Sequence, residues 1–300
     1  MVTINNIPEQ DAAVIREIAP LFDIVFARRI NKGSEDKIYA ETSQGEKRLI
    51  YISKASGYWK KDNDGYAYVA EHGIIAPKFI SEGFNADNSM RYKIWTWLEG
   101  EDVSTVLSRL QPDEQYALGK KCGEVARKIH SLPPIGEYEP WETRCKRKVE
   151  KIIKKYYERT EQYPECEVII KYLRDNMDLL NGRPTTCFKG DWNGENLIVT
   201  PAGEIGIIDG LWGQGDPWGE GWEISHDVDE YLQFFIGQFH GYFNGEPPIE
   251  YFKMFAFYVA VGYLEWYPND AGRILEWYDN MQNPIPSWYS NINAYLHSVD

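Results

Sequence analysis

Cysteine is scarce in this chain and never clustered. Cys122, Cys145, Cys166 and Cys187 stand roughly 20 residues apart, with no CxxC pair and no histidine partner at zinc-ligand spacing. That pattern excludes a structural zinc site. Long hydrophobic runs are missing as well: none reaches the ~18 residues that a membrane-spanning helix needs. The opening MVTINNIPEQDAAVIREIAP has neither the basic region nor the apolar stretch of a signal peptide. A reducing, cytoplasmic setting is the expectation. Cations are in the minority, 32 Lys and Arg against 46 Asp and Glu, for a formal net charge of −14. Such a chain repels nucleic acid and anionic membrane surfaces, so neither is an expected partner. The acidity suits solubility and would also suit a cationic ligand. Internal repeats and low-complexity segments are absent too.

What is present is apolar and aromatic. Of 300 residues 43% are hydrophobic, with 11 Trp and 21 Tyr, enough to bury a sizeable core. Residues 8–19 have a helical period. FDIVFARRI, KIYAETS and KRLIYIS alternate as strands and are separated by the turn-rich NKGSED and QGEK, which predicts a three-stranded meander. A helix is expected at about 59–72, closed by Gly73, followed by strands KFISEG and RYKIWTWLEG. From there the pattern turns helical: 112–131 with Pro112 at its start, 141–159, 164–180, and an aromatic tail after a Gly/Trp-rich loop. The helix at 141–159 is basic on several sides and reads as a solvated element. The fold class read from this is α+β: a small antiparallel-sheet lobe over 1–97, a hinge near Trp97–Gly100, and a large, mainly helical lobe over 98–300. A ligand site between two such lobes is the expectation.

The informative stretch is CFKGDWNGENLIVTPAGEIGIIDG, Cys187 to Gly210. Two short apolar runs flank a turn at Pro201–Gly203, which predicts a hairpin. Asn196 precedes its first strand and Asp209 ends its second, so strand pairing should bring them together, with Asp191 on the loop leading in. Oxygen ligands of this kind suit magnesium, which completes its shell with water and phosphate oxygens. A carboxylate off the metal could accept a proton from an attacking hydroxyl. A catalytic-loop Asp, an Asn five residues on and an Asp after a short hairpin form the protein-kinase pattern.

With GDWNGENLIV, GIIDG and GDPWGE in hand, together with KIHSLP and IWTWLEGED, the chain resembles the aminoglycoside phosphotransferase family, kinase-like phosphotransferases of small molecules. The resemblance covers almost the whole chain. It implies a protein-kinase-like fold, Asp191 as the catalytic base, Asn196 and Asp209 as magnesium ligands, and ATP or GTP as phosphate donor. It also implies nucleotide contacts from Gly33 and Ser34 of the phosphate-covering loop and from Trp97 and Leu98 of the hinge. The segment after Asp209 is aromatic and acidic, and Glu220, Glu223 and Asp227 are candidate carboxylates for a small cationic acceptor. Asp216 in GDPW matches a motif with a structural role. His130 reads as a core or helix-cap residue.

Three positions depart from the family pattern. Lys189 stands where a bracing His is usual, and Gly210 where an aromatic follows the metal Asp. Tyr51 stands where the third strand of the meander carries a base for the nucleotide phosphates. Alternation places Leu49, Tyr51 and Ser53 on one face and Arg48, Ile50, Ile52 and Lys54 on the other. The helix carboxylate expected to partner that base falls on Asp62. Two functions therefore stand open: a nucleotide-dependent phosphotransferase, and a binding protein that keeps the acceptor pocket without transfer.

Overall fold

The computed structural model describes residues 2–30, 37–57, 63–220, 231–269, 285–287, 289 and 290. The chain divides into two compact units, Met1–Gly100 with Thr200–Ile208, and Glu101–Val199 with Asp209–Asp300. The return of 200–208 to the first unit was not expected from the sequence.

The first unit is a six-stranded sheet in the order β1-β2-β3-β4-β6-β5. Its strands are β1 (Thr3–Asn5), β2 (Ile24–Ile30), β3 (Lys37–Thr42), β4 (Lys47–Lys54), β5 (Phe79–Phe84) and β6 (Met90–Thr96). All neighbours are antiparallel except β1 beside β2. The expected meander is β2–β4. The first strand, β1, escaped the sequence reading because three residues show no periodicity. Helix α1 (Glu9–Ile18) presents Ala12, Val14, Ile15 and Ile18 at helical spacing and buries them. Val14, Ile15 and Ile18 join Ile38, Ile50, Ile52, Met90, Tyr92 and Ile94 in one core. The opposite sheet face carries Tyr39, Tyr51, Lys93 and Trp95, and the Trp95 ring meets Tyr66 of α2 (Asn63–Glu71) edge-on at 5.1 Å. The short strand Ile205–Ile207 bridges to Ile75 through Gly206, whose bare backbone leaves room for Leu98.

The second unit is mainly helical: α3 (Val103–Leu107), α4 (Pro112–His130), α5 (Trp141–Tyr157), α6 (Pro164–Asp175), α7 (Leu232–Phe243) and α8 (Ile249–Trp266). Residues 177–180, read as the end of α6, form a separate 3-10 turn. Helix α5 buries Cys145, Val149, Ile152, Ile153 and Tyr156 against α6 and α8 and turns its lysines outward. Helices α4 and α7 cross at close range. A Cβ on Gly119, Gly123, Gly237 or Gly241 would collide with a backbone carbonyl of the other helix. These residues form two Gly-x3-Gly pairs, one per helix, and only hydrogen side chains permit such an approach. No helix among the described residues is long and apolar enough to cross a membrane.

Candidate active site

The site is built around a backbone clasp. The strand Thr186–Phe188 pairs antiparallel with the strand Gly213–Gly215, in the register Phe188 to Gly213 and Thr186 to Gly215. Directly beyond the pair, the carbonyl of Lys189 accepts from the N–H groups of both Leu211 (2.7 Å) and Trp212 (2.9 Å). Asp191 lies two residues past this clasp and Asp209 two residues before Leu211. The sequence reading expected a hairpin to bring Asn196 and Asp209 together; this second pairing, outside that hairpin, ties the loop of Asp191 to the segment after Asp209 and was not disclosed by the sequence.

Asp191 occupies the left-handed region at φ +53°, which costs a non-glycine residue about 1 kcal/mol or more. Side-chain amides hold it there. Asn196 donates from Nδ2 to the Asp191 carboxylate at 2.8 Å and to its carbonyl at 3.2 Å, and Asn193 donates to Oδ1 at 2.7 Å. Asn193 also accepts from the N–H groups of Glu195 and Asn196, opening the one-turn helix that carries Asn196. The amide nitrogen of Asn196 is committed to a carboxylate, so its oxygen Oδ1 is left as the acceptor. An amide oxygen and a carboxylate such as that of Asp209 are both hard oxygen donors, the ligand chemistry that suits magnesium. Asp209 is half-buried and also left-handed, at φ +52°.

Two of the three departures, Lys189 and Gly210, have structural counterparts here. Lys189 is fully buried, and its ammonium donates to the carbonyls of Gly190 (3.2 Å) and Asp191 (3.0 Å) from inside the loop, 5.9 Å from the Trp192 ring. It braces the loop through its backbone. At Gly210, a Cβ would meet the indole of Trp212 at 2.7 Å. The aromatic expected directly after Asp209 comes from two residues later and folds back over the glycine.

Behind the loop, a layer anchored on α4 and α7 was not legible in the sequence. His130, the last residue of α4, bonds the hydroxyl of Tyr242 on α7 at 3.0 Å through Nδ1, and Glu220 at 2.5 Å through Nε2. The other oxygen of Glu220 accepts the Gly190 N–H. Trp192 donates its indole N–H to Gln238 of α7 at 2.9 Å. The loop therefore hangs from the crossing of the two helices that the glycine pairs bring together. Those pairs were the available signal.

Glu220, read as an acceptor-facing carboxylate, is corrected by this geometry. It is buried, and both its oxygens are committed to His130 and Gly190 inside the protein. Asp216 has the structural role expected of it: it takes Arg183 in a two-point grip at 2.6 Å, the Tyr258 hydroxyl and the Trp218 N–H. The Arg183 guanidinium also stacks 3.7 Å from the centre of the Trp218 ring. Trp97 is half-buried, edge-on to Tyr39 at 5.1 Å, and Leu98 packs on Gly206. Gly33, Ser34, Asp62, Glu223 and Asp227 lie outside the described residues. All four cysteines are free and buried. Among the described residues no group of three His, Cys, Asp or Glu side chains forms a metal site.

The sequence model of the phosphotransferase enzyme family matches residues 55–245. No curated protein matches the chain. Among solved structures, the chain is similar to the aminoglycoside phosphotransferase APH(4)-Ia, at 15% identity over 92% of this chain and 100% of that one, TM-score 0.65. A thermostable mutant of that enzyme, in ternary complex with AMP-PNP and hygromycin B, aligns at 16% identity over 92% and 99%, TM-score 0.62. A choline/ethanolamine kinase family protein from Mesorhizobium loti aligns at 15% identity over 95% and 92%, TM-score 0.60. The α+β fold is therefore protein-kinase-like.

Proposed function

The chain belongs to the phosphotransferase enzyme family, and from that premise we propose that it moves the terminal phosphate of ATP or GTP to a hydroxyl of a small cationic molecule in the cytoplasm. The observation that carries this reading is the Asp191–Asn196 pair. The Asn196 amide donates to the Asp191 carboxylate, and the Lys189 carbonyl accepts from the segment that follows Asp209, which supports this reading. Asp191 orients the acceptor hydroxyl and takes its proton as the oxygen–phosphorus bond forms and the bond to the leaving diphosphate breaks in line. Asn196 and Asp209 would hold magnesium, which supplies neutralisation of the charge on the phosphate oxygens. Gly33, Ser34, Trp97 and Leu98 are the proposed nucleotide contacts. Donor identity leans on a relative that binds AMP-PNP.

A cationic acceptor is supported by the net charge of −14 and by the aromatic and acidic residues after Asp209, of which Glu223 and Asp227 remain candidate contacts. The relatives' names point the same way: one is complexed with hygromycin B and another belongs to a choline/ethanolamine kinase family. One observation favours the second reading, a binding protein without transfer: Tyr51 stands where a phosphate-contacting base was expected.

The deciding experiment is phosphoryl transfer from ATP and GTP, with magnesium, to a panel of aminoglycosides and choline-like amines, for wild type and Asp191→Ala. Transfer that falls about a thousandfold in the variant supports the enzyme. Amine binding that needs neither nucleotide nor magnesium, with no transfer, supports the binding protein.

A further inference from the structure

We propose that His130 is a positioning residue for phosphoryl transfer: acting through Glu220, it fixes the backbone at Gly190 and with it the direction of the Asp191 carboxylate. The inference rests on the transfer reaction proposed above and adds to it a residue two hydrogen bonds removed from the loop.

The loop's own geometry calls for an outside support. Gly190 and Asp191 are consecutive left-handed residues, at φ +68° and +53°. Glycine adopts that conformation freely, and such freedom directly before the proposed base leaves the direction of Asp191 open unless contacts fix it. The carbonyl of Gly190 accepts from the Lys189 ammonium at 3.2 Å, a contact made within the loop itself. Its N–H donates to Glu220, and Glu220 leads out of the loop to His130, the last residue of α4.

The pairing at His130 has a direction. An ionised carboxylate only accepts, so Nε2 carries the proton that faces Glu220 at 2.5 Å, and Nδ1 meets the Tyr242 hydroxyl of α7 at 3.0 Å. The ring is therefore held at both nitrogens. The His130 and Glu220 side chains are 5% and 3% exposed. Burying a carboxylate is costly, and apolar residues of similar volume often pack a core as stably. A hydrogen-bonded pair does what an apolar contact cannot: it holds one carboxylate oxygen where the Gly190 N–H must point.

The other neighbour of Asp191 is fixed as well. Trp192 donates its indole N–H to Gln238 of α7 at 2.9 Å. Asp191 thus stands between two residues tied to different helices, Gly190 to α4 through Glu220 and His130, and Trp192 to α7. A small displacement of a base from its reacting hydroxyl costs orders of magnitude in rate, so such double anchoring bears on transfer more than on binding.

The test compares wild type, His130→Gln, His130→Asn and His130→Phe in steady-state transfer, melting temperature and hydrogen exchange of the Gly190 amide followed by NMR. A glutamine amide reaches the place of Nε2 and can donate to Glu220, whereas an asparagine amide reaches only the place of Nδ1. His130→Gln should keep kcat within about threefold of wild type and the Gly190 amide protected. His130→Asn and His130→Phe should lower kcat at least about thirtyfold, with nucleotide and acceptor KM within about twofold, and should speed Gly190 exchange at least about tenfold. Where His130→Phe does not fold, the glutamine and asparagine variants decide. Equal impairment of those two, with kcat following melting temperature alone, would show a merely structural role and overturn the proposal. So would unchanged Gly190 exchange in His130→Asn. A wild type that transfers no phosphate removes the proposed function and this inference with it, whereas a wild type that transfers and a His130→Asn of equal kcat removes only the inference.

Discussion

Lys189 and Asp191 are tied through the backbone: the fully buried ammonium of Lys189 donates to the carbonyl oxygen of Asp191 at 3.0 Å. The same lysine's own carbonyl receives two N–H groups from the segment after Asp209. One residue thus supports the loop of the proposed base from within and fastens it to the strand end of the proposed metal ligand. Lys189→Met should leave two carbonyls without their donor, at about 1–3 kcal/mol for each acceptor left unpaired. Denaturant unfolding should show that loss, and kcat should fall with little change in nucleotide KM, since the loop and not the donor site is disturbed. A variant of wild-type stability would show that the lysine is dispensable as a brace.

The second expectation separates support from recognition at Glu220. Glu220→Gln keeps an oxygen for the Gly190 N–H and offers an amide to His130, so stability and acceptor KM should stay near wild type. Glu220→Ala strands both partners and should cost about 2 kcal/mol or more, again with acceptor KM unchanged where the protein is folded. A large rise in acceptor KM with Glu220→Gln at wild-type stability would return this carboxylate to the acceptor site.

The α4–α7 crossing invites the third. Gly123→Ala places a methyl group into the backbone of Gln238, the residue that also holds Trp192. Overpacking of this kind typically costs about 1–3 kcal/mol, and more where backbone must move. The melting temperature should drop by several degrees, and activity should drop too because the helices carry the loop's anchors. Gly136→Ala, by contrast, meets no atom within 4 Å and should cost only the strain of its φ of +76°.

Alkaline pH supplies the fourth. Burial pushes the thiols of Cys145 and Cys187 from 9.0 up to about 12 and the phenols of Tyr39 and Tyr172 from 10.0 up to about 12. The unfolded chain releases these protons first, so their contribution to stability is complete below about pH 9 and is lost as pH rises toward 12. Melting temperature should therefore fall steadily from pH 9 to pH 11. The native protein should react with a thiol reagent at neutral pH only after unfolding. Rapid labelling of any thiol in the folded state would contradict the burial of all four.

Much of the fold was readable because the signals are local. The β2–β4 meander, α1, α4 and α5 follow from alternation, helical spacing and turn residues. The Asp191, Asn196 and Asp209 constellation followed from spacing around two apolar runs. Other features depended on distant partners. Glu220 sits among acidic and aromatic residues and reads as a ligand contact. It is a brace only because His130 arrives from 90 residues away. Gly210 reads as a lost aromatic until Trp212 is seen over it.

The sequence by itself determined the family and most of its elements, and it singled out Asp191, Asn196 and Asp209 as the proposed site, since periodicity and motif spacing act over a few residues. Tertiary structure decided which carboxylates face inward and how Lys189 holds Asp191. Those outcomes are set by burial and by pairing between segments far apart in the chain, and a polar side chain's role depends on what it meets there.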